Sequence, residues 1–492
     1  MDATITGAEL YAPHAELVEP GRFDPEHHYY PRVCEGELHP LVAFFLGMSS
    51  ERLVGRYCRL HPRVPADALA RILGQAPAHF RWSGVDLFHT TTPAGERHMI
   101  VVETNSSPSG HKSMPRRAGD PVHGSYRALV ERSLLPLAGE APRSAGGLAV
   151  LYDKNHTEAS GYAATLADLA GEPVYLAPFA DGHAEAPARF ADGLLQVRDA
   201  RGAWNDVRAA LRYVTQRPWN RIPVRTRTRL LNPVVACLGG GRNKLVAAKA
   251  YELYNAEIER DGLAIVTPET IFDVARDEIP LWVRRFGGQA VVKVPYANAG
   301  QGVFTIVSAR ELEHFMISEQ RYERYVVQSL VGSRAWSSGE VTGRRYHVGT
   351  MPDARGDVFA ADLRLMISAG GDGFRPVALY ARRARRPLGA LAADTSSWDM
   401  LGTNLSERRG DGGWWAATER LLVMDGRDFE RLGLGLDDLI EAFVQSVLAT
   451  VAVDQMCKQL VDERGRLRID LFRSLDDDER LLAEIASDDE ST

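Results

Sequence analysis

Apolar residues recur at helical spacing near the start of the chain. LHPLVAFFLG (38–47) and ADALARILGQ (66–75) place them three and four apart, so the first stretch of about 75 residues reads as mostly helical. The period then shortens. GVDLFHTTTPAGERHMIVVETN (84–105) contains two β-rich runs around Pro93-Ala94-Gly95, the signature of a hairpin. After a linker-like stretch, AGEAPRSAGG, the pattern becomes strand, helix, strand: GGLAVLYD (146–153), EASGYAATLADLAG (158–171) and EPVYLAPF (172–179). That order predicts a βαβ unit and a parallel sheet. AALRYVT adds a strand ending near Arg217.

From Gly239 the texture changes again. GGGRNKLVAAKAYELYNAEIER is a glycine turn opening into a helix. QAVVKVPYANAGQGVFTIVS is strand, glycine-bearing loop, strand, and RYVVQSLVG is a short apolar strand. DVFAADLRLMISAGGDGFRPVALYARRAR predicts a long hairpin, and the acidic DDDERLLAEIASDDEST at the end predicts a frayed or solvent-exposed tail.

Composition narrows the function classes. A chain of 492 residues needs more than one core. A net charge of −7 argues against a nucleic-acid surface as the main partner. No apolar run approaches the roughly 20 residues of a membrane span, and the N-terminus lacks the basic start of a signal peptide. The four cysteines, Cys34, Cys58, Cys237 and Cys457, form no C-x-x-C pair. Reduced thiols in a cytoplasmic protein, with neither nucleic acid nor membrane as partner, are the expectation.

Chemistry concentrates in four places. Lys293 ends an apolar strand and precedes Asn298, Gly300, Gln301 and Gly302. A fixed cation beside glycines that let backbone N–H groups approach is what a phosphate needs, although an ordinary hairpin with a surface lysine has the same pattern. The stretch is not a Walker A loop. Lys244 opens the glycine-led helix, where a lysine works against the helix dipole unless an anion is near. Two such lysines suit a nucleotide held from both sides. Val327, Gln328 and Leu330, in the strand that follows, are placed to offer backbone groups to an adenine edge, or simply to fill a core. Glu103 and Asn105, two apart on one strand, share a face, and Asp86 lies on the preceding strand. Their oxygens suit Mg²⁺ with phosphate and water completing the shell. The loop SSPSGHKSMP then brings Ser107 and Ser109 as candidate substrate contacts.

In this order the motifs resemble the ATP-grasp superfamily of carboxylate–amine ligases, in which two α+β lobes grip ATP. E-x-N preceding both lysines resembles the circularly permuted, glutathione synthetase-like branch over roughly residues 80–405. The resemblance implies an α+β and α/β chain with an ATP-grasp fold and an inserted parallel-sheet substrate domain. It divides the chain into 1–145 (helical region and metal-site hairpin), 146–235 (substrate domain), 236–330 (first lobe), 331–475 (second lobe) and 476–492 (acidic tail). It implies ATP and Mg²⁺ as cofactors, Arg364, Lys293 and Asn298 as the catalytic set, and Lys244, Lys293, Gly300, Gln301, Gly302, Val327, Gln328 and Leu330 around the nucleotide. Glu103 and Asn105 would hold the metal. The loop PYANAGQG lacks the carboxylate that the branch places there, so Asp86 or Asp362 would supply the third ligand. Asp470 is the rival in an unpermuted chain. Arg217 would take a substrate carboxylate, with Arg208, Arg212, Arg221, Arg225, Arg227 and Arg229 as alternatives. Arg382 is a second phosphate-facing arginine; Arg383, Arg385 and Arg386 read as a solvated cluster, and Asn404 as a turn or helix cap.

The implied activity joins a small-molecule carboxylate, amino acid or peptide, to an amine through an acyl phosphate, releasing ADP and phosphate. Tailoring of a peptide natural product or synthesis of a glutathione-like peptide would fit, and the branch is often homodimeric. A nucleotide-binding scaffold without turnover, or a small-molecule kinase on the same lobes, is the alternative.

Overall fold

The computed structural model describes residues 11–117, 119–296, 302–339, 343–389, 396–408 and 414–486. Three larger sheets and one two-stranded sheet organise the described residues.

The central sheet is built on the early hairpin. Its first strand, Trp82–Thr91, lies between the second, Arg97–Asn105, and the much later strand Ala361–Gly370, which pairs in turn with Gly373–Arg383. All these pairings are antiparallel. The 82–91 strand is buried along most of its length. On one face runs the helix Leu436–Leu460, itself buried on nearly every side. Ser83 and Thr450 exchange a 2.6 Å hydroxyl contact across that interface. The helix also carries buried Asp454, whose carboxylate accepts from the backbone N–H groups of Ala78, His79 and Phe80.

The second sheet contains the expected parallel unit. Gly147–Tyr152 pairs in parallel with Val174–Pro178 and with Trp204–Tyr213, and the helix His156–Ala170 makes the crossover. The short strand Glu16–Val18 adds to its edge. The third sheet is small and antiparallel: Thr270–Ala275, Arg324–Ser329, Ala290–Lys293 and Val303–Ile306 in spatial order.

The glycines before Lys244 serve packing. Gly239 faces Cys457 of the long helix, where an added Cβ would meet the sulfur at 2.4 Å. Gly240 adopts φ +134°, and a Cβ there would meet Ala247 at 2.9 Å. Past them, the Asn243 side chain accepts from the N–H groups of Leu245 and Val246 and starts the helix Lys244–Ile258.

The acidic end differs from expectation. Glu479–Ile485 is a helix with Asp478 capping it, and Leu481, Leu482 and Ile485 are buried. Apolar residues at helical spacing outweigh the local acidity. The four cysteines form no disulfide. No described helix is long and apolar enough to cross a membrane.

Candidate active site

Strand register assembles one wall of the site. Glu103 lies opposite Asp86, Asp86 opposite Arg364, and Arg364 opposite Tyr380, so four side chains form one row across the central sheet. Phe88, Asp362 and Arg382 form the next row, and Asn105 lies opposite Gly84 on the other side. A bulge between Asp86 and Leu87 leaves Val102 unpaired beside Glu103. All of these except Gly84 and Leu87 line a single cavity of about 590 Å³, a size typical of small-molecule sites.

The small sheet closes the cavity from above. Lys293, at the end of its strand, is buried and donates to the Val102 carbonyl at 3.2 Å. Lys244, on the first turn of its helix, lies with Nζ 3.2 Å from Glu103 Oε1. Burial lowers Lys293 to about 8; Lys244 adds to the fall and Glu103 opposes it. Gln328, Ser329 and Leu330 line the same space.

The arginines of the central sheet have carboxylate partners. Arg364 holds Asp86 through two parallel bonds of 2.5 and 2.6 Å, and Arg382 bridges Asp86 (3.0 Å) and Asp362. Burial raises Asp86, but Arg364 and Arg382 more than offset it and bring it down to about 2. Asp362 is instead held above the carboxylate range, because burial outweighs its arginine. Asp86 and Asp362 therefore enter the site as anchors for guanidinium groups, and their oxygens are engaged before any metal arrives.

Below lies the loop after Asn105. Buried Glu158, on the crossover helix, accepts from Ser109 Oγ (2.6 Å), Gly110 N (2.7 Å) and His111 N (2.8 Å). Gly110 has φ +142°, and a Cβ there would lie 2.0 Å from the Tyr380 ring, so only glycine fits. Ser109 lines the cavity. Ser107 does not: it is fully buried and its hydroxyl donates to the Arg212 carbonyl at 2.9 Å.

Other predicted residues also lie elsewhere. Arg217 stacks 4.7 Å from the Tyr322 ring centroid and 3.7 Å from Glu484, outside the cavity lining. It lies past the end of the strand Trp204–Tyr213, and Glu484 on the helix Glu479–Ile485 has taken it. Val327 is buried in the small sheet opposite Val292, as alternation between Val326 and Gln328 requires. Asp470 sits on the helix Ile469–Leu475 with its side chain 97% exposed, remote from the E-x-N strand's cavity. Asn404 lines the cavity and donates to the Ser406 carbonyl, a turn contact. Arg385 is exposed and 3.5 Å from Asp399. Gly302 accepts from Val294 N–H. Asn298, Gly300 and Gln301 lie outside the described residues.

Sequence reading passed over Lys112, Lys154, Asn155, Arg242 and Tyr380, all of which line the cavity. A signal for Lys154 existed: it follows the C-terminal end of the first parallel strand, where open α/β sheets bind ligands. Arg242 stands two residues before Lys244.

Among the described residues no three His, Cys, Asp or Glu side chains cluster as a metal site. The donor set nevertheless fits Mg²⁺ bound mainly through a nucleotide. Glu103 offers a carboxylate, and buried Asn105, two residues on along the same strand, offers a carboxamide oxygen; both line the cavity. Mg²⁺ commonly takes only one or two protein carboxylates beside substrate phosphates.

No protein-family model and no curated protein matches the sequence. Two of the solved structures that the chain is similar to are as follows. One is a RimK domain protein ATP-grasp from Sphaerobacter thermophilus: 15% identity, 60% of this chain and 98% of that one, TM-score 0.30. The other is a glutathione synthetase-like effector from Globodera pallida in its apo form: 10% identity, 70% of this chain and 82% of that one, TM-score 0.38.

Proposed function

We propose that the protein is an ATP-dependent carboxylate–amine ligase of the ATP-grasp type, with the permuted order of motifs. The observation carrying this reading is the convergence on one cavity of Lys244, Lys293, Glu103 and Asn105 from three distant parts of the chain. The cavity lining carries seven Lys and Arg against four Asp and Glu, and that cationic excess suits a polyphosphate.

In this reading Lys293 and Lys244 hold the phosphates, with Gln328 to Leu330 beside the base. Glu103 and Asn105 would hold Mg²⁺, which when bound neutralises phosphate charge. The substrate carboxylate attacks the γ-phosphorus; the bond to the bridging oxygen breaks, giving an acyl phosphate and ADP. The amine then attacks the acyl carbon and phosphate leaves, giving an amide. Arg364, fixed in orientation by Asp86, faces the transferring group and stabilises its charge. Such transfer relies on positioning and electrostatics more than on protein nucleophiles. Keeping water from the acyl phosphate favours its capture by the amine over hydrolysis.

Purified protein incubated with ATP, Mg²⁺ and a panel of amino acids and peptides tests this. A ligase releases ADP and inorganic phosphate in equal amounts, dependent on both acid and amine. A kinase releases ADP without free phosphate, and a scaffold binds ATP without turnover; either result rejects the ligase.

A further inference from the structure

Asp476, Asp478 and Glu484 are buried near the end of the chain, and none of them lines the cavity. Each instead holds an element that does. Asp476 accepts from Asn243 Nδ2 at 3.2 Å. Asn243 Oδ1 accepts in turn from the N–H groups of Leu245 (3.0 Å) and Val246 (3.1 Å), and so starts the helix that opens with Lys244. Burial lifts the Asp476 carboxyl to about 6 while the Asn243 bond opposes the rise, so at neutral pH the group is ionised and can only accept. That fixes which end of the Asn243 carboxamide faces the helix. On the same helix, Lys249 Nζ donates to the Leu475 carbonyl at 2.6 Å.

The residues that follow reach the small sheet. Asp478 accepts from the Glu323 N–H at 2.5 Å, and Glu484 from the Tyr322 hydroxyl at 3.0 Å. Arg480 donates to the Arg321 carbonyl at 2.8 Å. These contacts hold the bend that leads into the strand Arg324–Ser329, whose far end brings Gln328 and Ser329 to the cavity. Glu484 also lies 3.7 Å from Arg217, which follows the parallel strand Trp204–Tyr213. Asp477 pairs with Arg324 at 2.7 Å, but that pair is at the surface and adds little. The buried carboxylates carry the contact, and Leu481, Leu482 and Ile485 anchor the segment by packing.

We propose that residues 476–485 are a clasp that positions the nucleotide side of the cavity. Asp476 acts on Lys244 through Asn243, and Asp478 and Glu484 act on Gln328 and Ser329 through the small sheet. This rests on the assignment of Lys244 and Gln328 to Leu330 to ATP. All three carboxylates are positioning residues, because each acts through another group.

The test uses the full chain at neutral pH. Calorimetry measures binding of a non-hydrolysable ATP analogue with Mg²⁺, and amide hydrogen exchange of the free protein follows Leu245, Val246 and the strand Arg324–Ser329. Asp476→Ala should weaken analogue binding about tenfold, the scale of one lost charge-assisted hydrogen bond, and speed exchange at Leu245 and Val246. In turnover, KM for ATP should rise by the same factor with kcat unchanged. Asn243→Asp should do the same, although Asp caps a helix as well as Asn does, because two carboxylates then face each other. The double variant Asn243→Asp with Asp476→Asn reverses donor and acceptor and should restore both binding and exchange. If Asp476→Ala does not fold, this isosteric pair of variants decides. Glu484→Gln should speed exchange in the strand Arg324–Ser329 and leave Leu245 and Val246 at the wild-type rate. Wild-type binding and exchange in Asp476→Ala, or a double variant no better than Asn243→Asp, overturns the clasp; so does a fall in kcat with KM unchanged. A wild-type protein that binds no analogue rejects the nucleotide reading instead, and the exchange rates then decide the clasp alone.

Discussion

Glu103 and Lys244 meet at 3.2 Å, although one ends an early hairpin strand and the other begins a helix far along the chain. The pair joins the central sheet to the helix that carries the first of the two lysines. Without a ligand, the carboxylate and the ammonium satisfy each other. With a metal–nucleotide complex, each has a partner of opposite sign to turn to.

Glu103→Gln keeps the shape and removes the charge. Turnover of ATP should fall at least about a hundredfold, the scale of losing a preorganised electrostatic group, with the circular dichroism spectrum unchanged. Lys244→Ala should act in the same direction. Wild-type rates in either variant would detach the pair from the chemistry.

Lys293 gives a pH dependence with two opposite signs. Its folded value, about 8, lies below that of an unfolded lysine. In the free protein, stability from this group therefore rises as pH climbs from about 8 toward the unfolded value, since the unfolded chain binds more protons there. ATP needs the charged form, so its affinity should fall over the same range, approaching about tenfold per pH unit. Lys293→Met should flatten both curves. Calorimetric binding and thermal melts between pH 7 and pH 10 read the two effects.

Glu158 fixes the loop that floors the cavity. Burial raises its carboxyl, but Lys112, Ser109, His111 and the Gly110 N–H more than offset this and lower it. Its contribution to stability is present above the ordinary glutamate value and lost as pH falls through the lowered one. Glu158→Gln should cost about 3 kcal/mol, the scale of breaking a buried charge interaction, seen as a lower denaturation midpoint. The pH dependence of stability on the acid side should shrink with it.

Gly110→Ala places a methyl group into the Tyr380 ring at a positive φ. A destabilisation of about 2–3 kcal/mol is expected. Gly55→Ala is the contrasting case: the position is exposed in the helix Ser50–Leu60 with open space around it, so about 0.5–1 kcal/mol of stabilisation should result. Equal melting of the two variants would contradict the packing described.

Chelation with EDTA should stop ATP turnover, and excess Mg²⁺ should restore it. Glu103→Gln should need more Mg²⁺ for half-maximal rate than wild type needs. Metal-independent turnover would remove the role given to Glu103 and Asn105.

Much of this site could be read locally. Alternation fixed the hairpin and put Glu103 and Asn105 on one face. The strand–helix–strand period fixed the parallel sheet, and glycines ahead of Lys244 marked a turn into a helix. These are properties of a few neighbouring residues, set by backbone sterics and side-chain period. The partners of each charge were not local. Arg364 and Asp86 meet through strand pairing between segments far apart in the chain. Arg217 is drawn off by Glu484 of a helix whose sequence looked like an acidic tail, and Lys154 meets the Ser107 carbonyl of another loop. Sequence alone determined which elements form and which residue types they carry; tertiary structure decided which charges are already neutralised and which still face the cavity, because electrostatic pairing depends on distance in space and on burial, and neither is encoded in spacing along the chain.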